Sequence, residues 1–436
     1  MKAEKKLLYI YVYYALLLVL LMLRQTATTS PPMPLRLAFM AAVVAPTLWN
    51  KSSCYPAVIT MFYTISIDGF GYSYMPNTLP LYLIVTLAFT LIVYLKSRNP
   101  SKIPIFILLF AFYIFLIDIL SSIDQQGETF IQNTFYCFVF LVCFWIISDR
   151  NIDSALSKFP LCFSVTTVVL SLAFLTHQEE YVLETIAGFE RSGWTDPNYF
   201  GMVLGMGAVT GIIKILGSEF KKLNIIEKGV YIAAVVISIP ALLLNASRGA
   251  LLSLACSIVV LVFYSKIKWS MKFMFIIGIA ISIVYLYNNQ YFDLLEQRIM
   301  EDDSTGSGRT DIWISKLFAF IDGNPLKIIF GHGHIGGSNI SGIHVGFHND
   351  YIGFLVDYGI LGLGWLLYLL FYPIRLTPKE SLEKPSVIAL IVFLAIGFLT
   401  LEPMLTGIMA YFTFYLYALL FARNLRRNLY RNINSY

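Results

Sequence analysis

The sequence predicts an all-α polytopic integral membrane protein with about 12–14 transmembrane helices and one large loop on the outer side. Three observations carry that prediction. The 436-residue chain is 58% hydrophobic and only 13% charged, where a soluble domain carries roughly 25% charged residues. Apolar runs of about 15–20 residues recur along almost its whole length, as membrane-spanning helices require. The alternation over roughly 10 residues that marks transmembrane strands is absent. Aromatics make up 16% of the chain, fitting interfacial belts and packed helix faces.

The expected spans are 7–23, 35–49, 54–67, 79–95, 103–120, 130–147, 159–176, 198–216, 229–244, 249–265, 271–287, 348–372, 386–400 and 404–421. The second and third are short, and read as one re-entrant pair they lower the total without changing its parity. "MKAEKK" precedes the first run and no small-residue cleavage site follows it, so this run reads as a membrane helix and not as a cleaved signal. The chain then divides into helices with short loops over 1–287, a large loop over 288–347, and helices with a basic tail over 348–436.

Charge sets the orientation. With the N-terminus in the cytoplasm, the pieces "KSRNPSK", "EFKKLNIIEK", "SKIKWSMK", "PIRLTPKESLEK" and "RNLRRNLYRN" all fall inside, as the positive-inside rule asks. The outer side keeps Arg24, Arg36, Arg191, Arg248, Arg298, Arg309, Lys316 and Lys327. Both termini are therefore expected in the cytoplasm. The loop over 288–347 is then external, and loops of that length are functional or disordered. Within it "RTDIWISKLFAFI" has Trp313, Leu317 and Phe320 near helical spacing, a pattern for a short helix at the interface. "GHGHIGG" reads as turn chemistry.

Several classes are set aside. Cys54, Cys137, Cys143, Cys162 and Cys256 lie in or beside apolar segments without metal-ligand spacing, which excludes a disulfide framework or zinc site. The net charge of +5 sits in short loops and is no nucleic-acid signal. His332-x-His334 lies among glycines and is a weak metal signal; no metal and no cofactor is expected.

The chemistry candidates share the outer face. Arg248 stands in "NASRG", a tight turn between two apolar helices. Snorkelling to headgroups would account for it; so would function, the default for an ionisable group near the core. Arg191 precedes Asp196, Pro197 and Asn198, where Asp196 and Pro197 read as N-cap and first helical residue. Arg309 belongs to the long loop. His348 opens the twelfth span, with Asn349 or Asp350 placed to cap it. It reads either as a polar interfacial residue or as a general base, since neutral imidazole is suited to that task. Arginines gathered at a membrane surface match a lipid-linked diphosphate, whose oxygens pair bidentately with guanidinium.

"RSGWTDPNYFG", "NASRGALLSLA", "GRTDIWISKLFAFIDGNPLKIIFGHGHIGG" and "HNDYIGFLVDYGILGLG" together resemble the bacterial O-antigen ligase and polymerase family over roughly residues 188–368. The resemblance implies a glycosyltransferase of C-type membrane architecture in the bacterial inner membrane. It implies a glycan donor on undecaprenyl diphosphate, used on the periplasmic face without metal or nucleotide-sugar, with inversion. By motif, Arg191, Arg248 and Arg309 are expected on the donor diphosphate and His348 on the acceptor hydroxyl. A polymerase acts on a second lipid-linked glycan, with a chain-length regulator as partner; a ligase acts on lipid A-core or a protein. Polymerase is the expectation taken here. A flippase or other transporter is the alternative from another class, and it asks for ionisable groups or broken helices at mid-membrane. There the sequence offers little charge: Asp118 lies near an outer helix end, and Asp357 is the deepest acid.

Overall fold

The computed structural model describes residues 12–13, 16, 105–122, 159–176, 182–186, 189–192, 197–217, 220–265, 268–293, 295–296, 309–334, 337, 340–342, 346–377 and 384–401. The expected spans 35–49, 54–67, 79–95, 130–147 and 404–421, nearly all of 7–23, and Cys54, Cys137, Cys143, Arg298 and His344 lie outside these residues. In chain order the elements are α1 (Ile105–Ser122), α2 (Phe159–Thr176), β1 (Val182–Ile186), β2 (Phe189–Ser192), α3 (Pro197–Leu216), α4 (Ile225–Asn245), α5 (Arg248–Tyr264), α6 (Trp269–Asn288), α7 (Arg309–Ile321), α8 (Pro325–Phe330), α9 (Asp350–Leu376) and α10 (Lys384–Thr400). The described chain is thus helical apart from one antiparallel hairpin, β1–β2. Stretches within α3, α4 and α9 are long and apolar enough to cross a membrane, and this is a membrane protein.

The chain forms two compact units. One contains 1–79, 154–301 and 378–394; the other contains 80–153, 302–377 and 395–436.

In the first unit α3 is the central helix, packed against α2, α4 and α5. Val203, Leu204, Ala208 and Val209 have no exposed surface. Apolar side chains gain little from leaving lipid for protein, so this packing rests on close backbone approach. A β-carbon on Gly207 would stand 2.2 Å from Thr167 Cγ2, and one on Gly211 would stand 2.8 Å from the Tyr231 carbonyl oxygen. Hydroxyls add polar links. The Ser171 hydroxyl donates to Ser238 Oγ at 3.0 Å, joining α2 to α4. The Ser257 hydroxyl donates to the Ala389 carbonyl at 3.0 Å, joining α5 to α10. Such bonds contribute about 0.6 kcal/mol each on average in a membrane.

In the second unit α9 packs against α1, α7 and α8. The Phe110 ring of α1 stacks on Phe354 of α9, centroids 6.3 Å apart. The expected twelfth span is not one straight helix. Gly359 has φ 67° and ψ −173°, which divides α9. A β-carbon there would lie 2.2 Å from the Ile329 carbonyl oxygen, so both the backbone angle and the close approach demand glycine.

Candidate functional site

In the first unit the "NASRG" turn takes two residues. α4 ends at Asn245, and Ala246 adopts the left-handed conformation (φ 51°) while its N–H bonds the Leu243 carbonyl. Ser247 is the extended N-cap of α5, and Arg248 is the first helical residue. Ser247 makes no side-chain cap bond to the α5 amides. The first turn of α3 lies directly against this corner: a β-carbon on Gly201 would be 2.4 Å from Ser247 Cβ. α3 begins at Pro197, the position expected for the first helical residue. Arg191, expected in a connection, lies on β2, with its backbone paired to Glu184, and β2 packs on α4. Arg191 and Arg248 thus belong to the same unit.

In the second unit Arg309 is the first residue of α7. One of its guanidinium nitrogens donates to the Thr400 carbonyl at 2.9 Å. The Asp350 N–H donates to the neighbouring Leu401 carbonyl at 3.1 Å. The end of α10 therefore holds the starts of both α7 and α9. Just ahead of Asp350, Asn349 is the cap of α9, its side chain accepting from the Tyr351 and Ile352 amides at 3.0 and 3.1 Å. Asp350, the other cap candidate, is instead the first helical residue and fully buried.

His348 is half-buried, and its φ is +50°. A non-glycine residue in that region costs on the order of 1 kcal/mol, and such conformations gather at functional sites. The surrounding structure enforces it. Phe347 is buried against Phe320 and Val356, the Trp313 indole N–H donates to its carbonyl, and the Lys316 ammonium stands 4.2 Å from its ring centroid. The sequence led to the expectation of a short interfacial helix here, with Lys316 among the basic residues of the outer side. α7 is indeed helical, but Lys316 has no exposed surface, while Phe318 and Ile321 face outward.

The glycine–histidine stretch has a structural task that the sequence did not disclose. At the break in α9 the Val356 and Asp357 carbonyls lose their helical partners. The His332 N–H takes the first at 3.0 Å and the Gly333 N–H the second at 2.7 Å. The Tyr113 hydroxyl bonds the Tyr358 carbonyl at 2.6 Å. The His334 N–H donates to Asp118 Oδ1 at 3.1 Å, and the Tyr358 hydroxyl donates to Oδ2 at 3.2 Å. His334 Nδ1 stands 3.0 Å from Asp357 Oδ2. The two histidines take different neighbours: His332 sits edge-on to the Phe320 ring. Burial, and secondly the charge of Lys327, push the His332 pKa below its ordinary value. Among the described residues no group of three His, Cys, Asp or Glu could hold a metal ion.

The four predicted residues fall into two pairs. Arg191 and Arg248 lie in one unit; Arg309 and His348 lie in the other, at one corner. Asp118, His334, Asp357 and Lys316 escaped the sequence reading as a group because their partners lie far apart in the chain. Glycines flanking both histidines were the available signal. Residues 233–367 match the model of a family described as O-antigen ligase, a range holding Arg248, Arg309 and His348 but not Arg191. No curated protein matches the chain.

Proposed function

The chain carries a domain of the O-antigen ligase family at residues 233–367, and with a glycosyl-transfer role in O-antigen and lipopolysaccharide assembly as the premise, we propose that it is a polymerase. Its donor is an oligosaccharide on undecaprenyl diphosphate, and its acceptor is the sugar hydroxyl of a second lipid-linked unit. The reaction runs at the periplasmic face of the inner membrane, in a C-type architecture with both termini cytoplasmic. His348 takes the proton of the acceptor hydroxyl. The oxygen forms its bond to the anomeric carbon from the face opposite the diphosphate, the old C–O bond breaks, and undecaprenyl diphosphate departs with its charge. Inversion follows. Arg191, Arg248 and Arg309 pair with the diphosphate and offset its growing charge, a task that guanidinium performs without a metal. At Arg248 the first turn of α5 adds amides that its N-cap side chain leaves uncapped, a favourable place for an anion.

The observation that carries this reading is His348 itself. It is a strained, half-buried imidazole at a helix start, clamped on both sides and inside the family domain. A broken α9 with Asp118 and Asp357 beside the break raises the transporter reading again. However, the freed carbonyls of Val356 and Asp357 are taken by His332 and Gly333 amides. The break is thus satisfied within the protein.

The test is chemical. Deleting the gene should leave lipopolysaccharide with a single repeat unit; core without any repeat, and lipid-linked polymer accumulating, would indicate a ligase. His348→Ala should abolish transfer at normal protein level, and full activity would remove the base role.

A further inference from the structure

Resting on that reading of His348, we propose that Trp313 and Lys316 of α7 are positioning residues for the base: they grip Phe347 and so hold His348 in its left-handed turn. Neither touches the reacting atoms in this proposal. The grip has two parts that act on the same residue from one helix. The Trp313 indole fixes the Phe347 carbonyl, which belongs to the peptide unit joining Phe347 to His348, so it orients the backbone that sets the His348 φ. The Lys316 ammonium fixes the ring, 4.2 Å from its centroid, and a cation held over a buried aromatic face is a directional contact. The two residues are three apart, which places them on one face of α7.

On the far side of His348 the chain is tied by the Asn349 cap and by the Asp350 amide on Leu401. With both flanks held, the imidazole has little backbone freedom. A lysine with no exposed surface is an expensive way to fill space, since burying an ammonium costs far more than burying a methionine of similar length.

The experiment uses full-length protein in nanodiscs with lipid-linked oligosaccharide extracted from cells that lack it. Lys316→Met keeps the stem and removes the charge. We expect kcat per folded molecule to fall about tenfold or more with KM for the donor within about twofold, because only the placement of the base is disturbed. Lys316→Arg should recover most of the loss, since guanidinium also sits over a ring. Trp313→Phe, which keeps the ring and removes the donor, should reproduce the kcat loss. Wild-type kcat in Lys316→Met overturns the proposal, as does a KM increase that accounts for the whole loss, which would mean donor contact. If Lys316→Met does not fold, Trp313→Phe decides: unchanged kcat overturns the positioning role. His348→Ala is measured in parallel. Activity there removes the base itself, whereas inactive His348→Ala beside fully active clamp variants rejects only the clamp.

Discussion

His334 Nδ1 lies 3.0 Å from Oδ2 of Asp357, a carboxylate with no exposed surface. The imidazole comes from the glycine-rich loop and the carboxylate from the half of α9 ahead of its break, so one contact secures two backbones. His334→Ala should leave the carboxylate buried without this partner and lower stability by about 1–3 kcal/mol. Asp357→Asn in the same background should recover part of that loss by removing the charge. Melting temperatures in detergent check both, and an unchanged melt for His334→Ala would show that the contact is dispensable.

Gly359→Ala meets two obstacles, a φ of +67° and a carbonyl oxygen 2.2 Å from the new atom. It should cost several kcal/mol, more than the 1–2 kcal/mol of a left-handed residue alone. Gly364→Ala, in the same helix with nothing within 4 Å, should be neutral or stabilise by up to about 1 kcal/mol. Folded yield after membrane extraction distinguishes the two; equal yields would contradict the close approach at the break.

Arg248→Lys keeps the charge at the start of α5 and removes the fork. If Arg248 pairs bidentately with diphosphate, the donor KM should rise about tenfold or more. A wild-type KM in this variant would return Arg248 to the snorkelling reading.

His332 supplies a pH dependence. Its folded pKa is depressed by burial and by Lys327, so below the unfolded value of about 6.5 the unfolded chain binds more protons than the folded one. Stability from this group is complete above that pH. It falls as pH drops through 6.5 toward the lower folded value, then levels off. The wild-type melting temperature minus that of His332→Gln should shrink between about pH 7 and pH 5. A pH-independent difference would mean that His332 does not titrate with folding.

Local signals were legible in the sequence. Pro197 starts α3, Asn349 caps α9, and "RTDIWISKLFAFI" is a helix, because each depends on neighbours within a turn or two. What was hidden depends on distant partners. Lys316 looks like a surface residue until Phe347, far along the chain, comes over its ammonium. Gly359 looks like a tolerated helix glycine until the 331–333 loop arrives to take the carbonyls it exposes. The hairpin that carries Arg191 was missed because its strands are only four and five residues long. At the candidate site the motifs were legible in the sequence, but the contacts of Trp313 and Lys316 with Phe347 were not, because they join residues more than thirty positions apart.

The cap on the break of α9 also bears on how the protein is made. Unpaired carbonyls in hydrocarbon cost several kcal/mol each, so the first turns of α9 are a poor passenger for insertion alone. The groups that satisfy them, Tyr113 and the amides of His332 and Gly333, all precede α9 in the chain. A ribosome reaching Asp350 has therefore already synthesised every partner the break requires. α9 is complete only with that preceding loop packed beside it, which ties the folding of the loop to that of the helix after it.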